Sequence, residues 1–358
     1  MSKKPTVCVA MSGGVDSSVV PILLKKRGYE VVGVTMQIWQ ESQTDPRHSG
    51  CCSLGAVEDA RRVARMLDMP HYVINFKDQF KSTVIDEFVD EYSKGRTPNP
   101  CVTCNRKVKF DALLNTMQEL DCDKLATGHY ARIRFDSKRG LYRLMRSKGG
   151  NKDQSYVLYA TTQEQLAKVM FPLGELGDKA ECRKIAREAG LPVANKPDSQ
   201  EICFVSEAGG YRSFMRKNKP EIFEDGELVD TAGNVVGTHS GVADFTVGQR
   251  RGIKVATGKP LYVIGLSPDR NQVVVGSNEE LLQREVRLED MTWSAFGSHE
   301  MPMRVMAKIR YNMDARPAML YAFPEPVLVF NKPVRAVTPG QIAVAYRGET
   351  VVAGGRIK

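Results

Sequence analysis

A chain of 358 residues, 42% hydrophobic and 26% charged, is too long for one compact core and ordinary in composition for a globular protein, so two or three domains are expected. No apolar run approaches the roughly 20 residues that span a bilayer, and the opening "MSKKPTVCVAMSGG" lacks the apolar core and cleavage site of a secretory leader; a cytoplasmic protein is expected. In that reducing setting the eight cysteines read as packing residues, metal ligands or catalysts instead of disulfide staples, while the formal charge of +9 suits a polyanionic partner without demonstrating one.

Strand and helix alternate through the first 130 residues. "TVCVAM" (residues 6–11) is a short β-branched run suited to a buried parallel strand. A Gly-Gly loop follows, then a helix from about Ser17 to Gly28, with Lys25, Lys26 and Arg27 in its last turn and Pro21 as a local irregularity. "EVVGVTM" (30–36) is the second strand. Val57, Arg61, Ala64 and Leu67 share a helical face with Leu54, and "HYVINF" (71–76) is the third strand. Ile85, Phe88, Val89 and Tyr92 form another amphipathic helix that stops at Gly95. After the cysteine-bearing loop, "KVKFDALLNTMQEL" reads as helix and "DKLATGHYA" as strand. The alternation implies a doubly wound parallel sheet.

Residues 132–152 carry Arg132, Arg134, Lys138, Arg139, Arg143, Arg146, Lys148 and Lys152 against the single acid Asp136, with Phe135 and Tyr142 interleaved. A phosphate-tracking surface and a solvated basic hairpin explain this stretch equally well. Beyond about residue 205 the chain turns to short β segments punctuated by Gly, Pro, Asn and Asp, the pattern of antiparallel sandwich or barrel modules. Soft boundaries fall near 208 and 280, giving an α/β domain over 1–207, a small β-rich domain over 208–280 and a C-terminal β-barrel over 281–358.

The first chemical signal is "AMSGGVDSS" (10–18), between the first strand and the first helix. Its glycines permit a tight turn, the helix N-terminus adds partial positive charge, and Ser12, Ser17 and Ser18 add hydroxyls; together they suit a phosphate chain. The Gly-Lys-Ser/Thr ending of a Walker A loop is absent. Asp16 fits two roles, a helix N-cap or a magnesium-linked carboxylate. The second signal is "TPNPCVTCNRKVKF" (97–110), whose paired cysteines suit a zinc site, a redox couple or a sulfur-handling centre.

The Ser-Gly-Gly-Val-Asp-Ser string resembles the PP-loop of enzymes that cleave ATP between its α and β phosphates. With it, "GRTPNPCVTCNRKVKF", "TGHYAR", "NKDQSYVL", "DSQEICF" and "TPGQ" are similar, in the same order and over nearly the whole chain, to segments of the tRNA-specific 2-thiouridylase family. The resemblance implies adenylation of the 2-carbonyl oxygen of the tRNA wobble uridine, then attack by cysteine-borne sulfur that expels AMP. It implies an ATP site at Ala10, Met11, Ser12, Gly13, Gly14, Val15, Asp16, Ser17, Met36 and Gly128, with Mg2+ beside the phosphates. Cys104 takes the nucleophile position and Cys203 the persulfide position. Contacts to tRNA are implied at Asn99, Pro100, Cys101 (these three bordering the flipped base), His129, Lys152, Asp153, Gln154, Arg310, Tyr311 and Gln341.

Many relatives place an acid where this chain has Cys101. Three thiolates at Cys101, Cys104 and Cys203 are also the ligand number of a 4Fe–4S cluster with one open iron, so persulfide and cluster routes both stand at this point. A Cys101–Cys104 redox couple ranks behind both. Cys51 and Cys52 receive no catalytic role, and Cys8, Cys122 and Cys182 read as packing residues. The implied partners are tRNA, those for Lys, Glu and Gln, and a sulfur donor such as a cysteine desulfurase or a relay protein; no membrane is involved. Two rival readings are a PP-loop amide ligase, for which no glutaminase module is evident, and a non-catalytic RNA binder with a small metal knot at the paired cysteines.

Overall fold

A computed structural model describes residues 4–39, 54–150, 152–198, 202–253, 255 and 258–358. Contacts divide the chain into two units: Met1–Val84 with Cys101–Glu207 and Glu349–Val351, and Ile85–Pro100 with Ala208–Gly348 and Val352–Lys358.

The first unit is built on a five-stranded parallel sheet. Strands β1 (Thr6–Ala10), β2 (Glu30–Gln37) and β3 (His71–Asn75) run to one side, and β4 (Lys124–Ala126) and β7 (Val169–Met170) to the other, in the order β3-β2-β1-β4-β7. β1 pairs in parallel with both β2 and β4. Its central residues Val7, Cys8 and Val9 are fully buried, as expected for a strand covered on both faces. The order reverses between β1 and β4, and in such sheets the crevice at the carboxyl ends of those two strands is where ligands bind.

Helix α1 runs over Val15–Lys26 and packs Val15, Val19, Val20, Ile22 and Leu24 into the core; it contains Pro21 without breaking. It starts two residues before the sequence expectation because Gly14, in extended conformation, is the N-cap. Helix α2 (Leu54–Met66) buries Ala56, Val57, Ala60, Val63 and Ala64; of the expected face Val57 and Ala64 are buried, Leu67 just beyond the helix is half-buried and Arg61 is exposed. The expected strand "DKLATGHYA" is interrupted: β4 ends at Ala126, and Ala131 opens a separate hairpin, β5 (Ala131–Asp136) with β6 (Leu141–Arg146). The helix expected to follow the cysteine loop starts earlier: Pro100–Thr103 is already helical, so Cys101 and Cys104 lie in helical turns and not in a loop; nine residues of wide turns follow from Cys104, and the helix tightens over Leu113–Glu119. Wide-turned segments of this kind recur at functional sites.

The second unit holds two β modules. β8 (Gly226–Val229), β9 (Val235–His239), β10 (Tyr262–Ser267) and β11 (Gln272–Gly276) form a sheet in the order β10-β11-β8-β9 around Val263, Val273, Val275 and Phe245. Its β8–β11 pairing is parallel, a departure from the all-antiparallel expectation. β12 (Leu282–Trp293), β13 (Met303–Lys308), β14 (Arg316–Tyr321), β15 (Val327–Arg335), β16 (Ile342–Arg347) and β17 (Thr350–Ile357) lie in the order β12-β15-β14-β13-β16-β17 in a sheet that closes through β12–β17, which makes the expected C-terminal barrel. On β13, Met303, Val305 and Ala307 face in while Arg304 and Met306 face out, the period of two that a barrel wall requires. The segment Ile85–Pro100 belongs to this unit: buried Glu91 pairs with both Arg96 and Arg356, and Tyr92 stacks on Tyr211.

Candidate active site

The loop after β1 is held in one shape by its own polar groups. Ser12 N–H donates to Ser17 Oγ at 3.0 Å, the two hydroxyls lie 3.2 Å apart, and Ser17 and Ser18 each donate to the Gly14 carbonyl. Ser18 is fully buried, so its hydroxyl braces the loop and is not one of the outward donors expected from the sequence. Gly13 sits at φ +67°, and a Cβ there would lie 2.1 Å from the Ala56 carbonyl oxygen at the start of α2. Met11 N–H donates to Val34 O and Thr35 Oγ1 donates to Met11 O, fixing the loop to β2; Met36 lies half-buried just beyond on the same strand.

From β4 comes Gly128, whose added Cβ would stand 2.9 Å from the Ser17 backbone nitrogen. A glycine is therefore needed there because the strand end touches the phosphate loop itself. His129 is buried, with Nδ1 2.7 Å from Thr127 Oγ1 and its ring between Phe110 and Phe171. Burial, aided by the Lys109 charge, holds it well below the ordinary imidazole range, so it is neutral.

Asp16 is not the helix cap. One carboxylate oxygen accepts from Tyr130 Oη at 2.8 Å and has the Cys182 thiol at 3.5 Å; the other accepts from Lys179 Nζ at 2.6 Å, with Lys152 Nζ at 3.6 Å. Asp198 joins them, accepting from Lys152 at 2.5 Å, Lys179 at 2.7 Å and Arg183 at 3.1 Å. Burial works against the Asp198 charge, yet the Lys152 and Lys179 hydrogen bonds prevail and hold its carboxyl at about 2. Burial pushes the Cys182 thiol up to about 12, so it stays protonated. Lys196 reaches both the Gly13 carbonyl, at 3.2 Å, and Asp59, at 2.8 Å. Two segments far apart in the chain, those of "NKDQSYVL" and "DSQEICF", thus meet at the phosphate loop through Lys152 and Asp198.

Sequence reasoning missed Lys179, Arg183, Lys196 and Tyr130. It also placed Lys152, Asp153 and Gln154 together as outward contacts, whereas the structure gives them separate tasks. Asp153 accepts from the Ser147 and Ser155 backbone, and Gln154 Oε1 accepts from Tyr130 N–H. Several of the basic residues have acidic partners: Arg132 pairs with Glu349, Arg134 with Glu175, Arg143 with Asp136 and Arg146 with Asp153.

Cys101 is exposed, Cys104 is buried at the head of the wide-turned helix, and Cys203 is half-buried at the start of the short helix Cys203–Glu207. Asn105, next to Cys104, is buried and donates to Val157 O, while Lys109 donates to its side-chain oxygen. Phe204 anchors the other cysteine segment against Phe80 and Trp39. Among the described residues no group of three or more His, Cys, Asp or Glu is arranged to hold a metal. Cys8 and Cys122 are buried together, as expected of packing residues; Cys51 and Cys52 lie outside the described residues.

In the second unit, Thr97 N–H donates to Pro339 O, and Gln341 Nε2 donates to Thr97 O at 2.8 Å. Pro100 is buried and Asn99 half-buried. Arg310 donates to Arg335 O, and Tyr311 is exposed beneath Lys308.

Family models agree with this architecture along the chain: a tRNA methyl transferase HUP domain matches residues 5–207, a tRNA methyl transferase PRC-barrel domain 212–277, and an aminomethyltransferase beta-barrel domain 283–357. A tRNA-specific 2-thiouridylase MnmA of Clostridioides difficile is 46% identical over 100% of this chain and 99% of its own length. The chain belongs to the tRNA-specific 2-thiouridylase family. A further member, from Heliobacterium modesticaldum, is 50% identical over 99% of this chain and 92% of its own. A U34-tRNA thiolase NcsA from Methanococcus maripaludis, solved with its 4Fe-4S cluster, overlays only at a TM-score of 0.34 and 19% identity, covering 60% of this chain and 67% of that one. That likeness is too loose to transfer a cluster to the thiouridylase cysteines. No helix among the described residues is long and apolar enough to cross a membrane.

Proposed function

We propose that this protein is an ATP-dependent tRNA uridine 2-sulfurtransferase. The observation that carries the reading is the braced phosphate loop at the carboxyl ends of β1 and β4, in a chain that matches a thiouridylase along its full length. The uracil 2-carbonyl oxygen attacks the α-phosphorus of ATP; an oxygen–phosphorus bond forms, the α–β bridge breaks, and pyrophosphate leaves. An oxygen that was a poor leaving group now departs as AMP. The phosphate loop, with its backbone donors and the α1 N-terminus, holds the phosphates. Met36 and Gly128 flank the nucleotide, Asn99–Cys101 border the extruded base, and Arg310, Tyr311 and Gln341 lie on the tRNA side.

The sulfur arrives as a persulfide on Cys203. Its terminal sulfur bonds to C2 as AMP leaves. The Cys104 thiolate then attacks the Cys203 sulfur, leaving a 2-thiocarbonyl on the tRNA and a disulfide that an external thiol reductant reopens. That no group of three or more His, Cys, Asp or Glu among the described residues is arranged to hold a metal supports this route over a cluster. The substrates are the tRNAs for Lys, Glu and Gln, the sulfur donor is a cysteine desulfurase or relay protein, and the working division is three modules at 1–207, 208–280 and 281–358.

The test is a reaction with ATP and unmodified tRNA, after persulfide loading of protein purified without iron. AMP, pyrophosphate and 2-thiouridine in equal amounts support the reading. Tight tRNA binding with no AMP release would identify a non-catalytic RNA binder, and AMP release that needs ammonia would identify an amide ligase.

A further inference from the structure

The family resemblance places magnesium at Asp16, and the structure allows a check of that role. A carboxylate that ligates magnesium offers an oxygen lone pair to a small dication at about 2.0–2.1 Å. Both Asp16 oxygens already accept hydrogen bonds, from Tyr130 on one side and Lys179 on the other, and Lys152 stands 3.6 Å away. Asp198 is equally engaged, by Lys152, Lys179 and Arg183. A dication on either carboxylate would sit against ammonium groups. The donor set does not fit the metal.

The same cluster suits the opposite ligand. Lys152, Lys179 and Arg183 carry three positive charges against two carboxylates, beside the first turn of α1. An ammonium has three donors. Lys179 directs two of them to Asp16 and Asp198, so one remains; Lys152 makes its close bond to Asp198. Both side chains keep some solvent access, at 19% and 28%. Arg183 is committed elsewhere as well, donating to Ala194 O and Lys196 O, which makes it a brace. Carboxylates that hold two ammoniums side by side next to a phosphate loop preorganise them for a polyanion.

We propose that Lys152 and Lys179 bind the β and γ phosphates of ATP and then the departing pyrophosphate, with Asp16 and Asp198 as positioning residues for the two ammoniums and not as magnesium ligands. Any magnesium enters with the nucleotide, on phosphate oxygens. Lys152 thereby moves from the tRNA side to the nucleotide side. The inference rests on the reading that ATP is cleaved to AMP and pyrophosphate.

The experiment measures calorimetric affinities of the full chain for pyrophosphate and for AMP, each with magnesium and with EDTA, in the parent, Lys152→Met, Lys179→Met, Lys179→Arg, Asp16→Asn and Asp198→Asn proteins. The expected result is pyrophosphate binding by the parent in EDTA, a loss of at least about tenfold in each Met variant, partial recovery in Lys179→Arg, and AMP affinity within about twofold in the lysine variants. Unchanged AMP affinity shows that the loop is intact in each lysine variant. Pyrophosphate affinity unchanged in both Met variants overturns the proposal, as does binding that requires magnesium and disappears in Asp16→Asn. If the parent binds neither AMP nor pyrophosphate, the ATP reading falls as well. If AMP binds and only the lysine effects are missing, this inference alone is lost.

Discussion

A methyl group at Gly13 would lie 2.1 Å from the Ala56 carbonyl oxygen, on a backbone already at φ +67°. Neither the left-handed conformation nor the backbone contact can give way cheaply, so Gly13→Ala is expected to cost about 2 kcal/mol or more in stability and to abolish measurable ATP binding. Thermal unfolding and nucleotide titration check it. Cys104→Ser and Cys203→Ser are each expected to lower 2-thiouridine formation by at least about a hundredfold while pyrophosphate release by adenylation persists for the first turnover, because serine replaces sulfur chemistry but not phosphoryl chemistry. Rapid-quench measurement of pyrophosphate beside thionucleoside separates the two. At this scale the sequence showed the loop and the cysteines, since both are motifs with fixed spacing. It did not show Lys179, which meets Asp16 across 163 residues and looks on its own like any surface lysine.

Among the elements, the loop Arg96–Pro98 is held from two directions. Thr97 exchanges hydrogen bonds with Pro339 and Gln341, and Arg96 pairs with buried Glu91. The chain then continues into the helical turn Pro100–Thr103, which carries Cys101. Gln341→Ala removes the donor to Thr97 O, and the expected loss is about 1–2 kcal/mol. Urea unfolding reads that loss; an unchanged midpoint would show that the bond contributes nothing. The strands were legible because apolar β-branched runs such as residues 6–11 have few alternatives, and α2 was legible as a helix from the period of Val57 and Ala64, although the expected face also took in Arg61, which is exposed. The α1 start was not, because Gly14 caps through backbone conformation with no side-chain signal. The basic hairpin stayed open between two readings for a different reason: Glu175 and Glu349, which pair with Arg134 and Arg132, come from distant parts of the chain.

For the molecule as a whole, pH dependence follows from burial. His71 and His239, like His129, are held below the usual imidazole value chiefly by burial. The unfolded chain then binds protons that the folded one refuses, so stability is full above about pH 6.5 and declines as pH falls below it. Asp198 has the same sign further down: its contribution is present above about pH 4 and lost toward pH 2. Denaturant midpoints between pH 7.5 and 5 are expected to fall, and to fall less in His129→Gln; a flat profile would contradict neutral burial of these rings. The α/β-then-β order was readable from the change in punctuation near residue 205. That Ile85–Pro100 groups with the β modules was not readable, since its helix period is indistinguishable from that of its neighbours.

The central claim is that ATP activates the uridine oxygen so that sulfur can displace it. Transcribed tRNA bearing oxygen-18 at the uracil 2-carbonyl, reacted with ATP and persulfide-loaded protein in ordinary water, tests it in one step. The account predicts one labelled oxygen in each AMP released per 2-thiouridine formed. AMP carrying only ordinary oxygen beside full thiolation would contradict it.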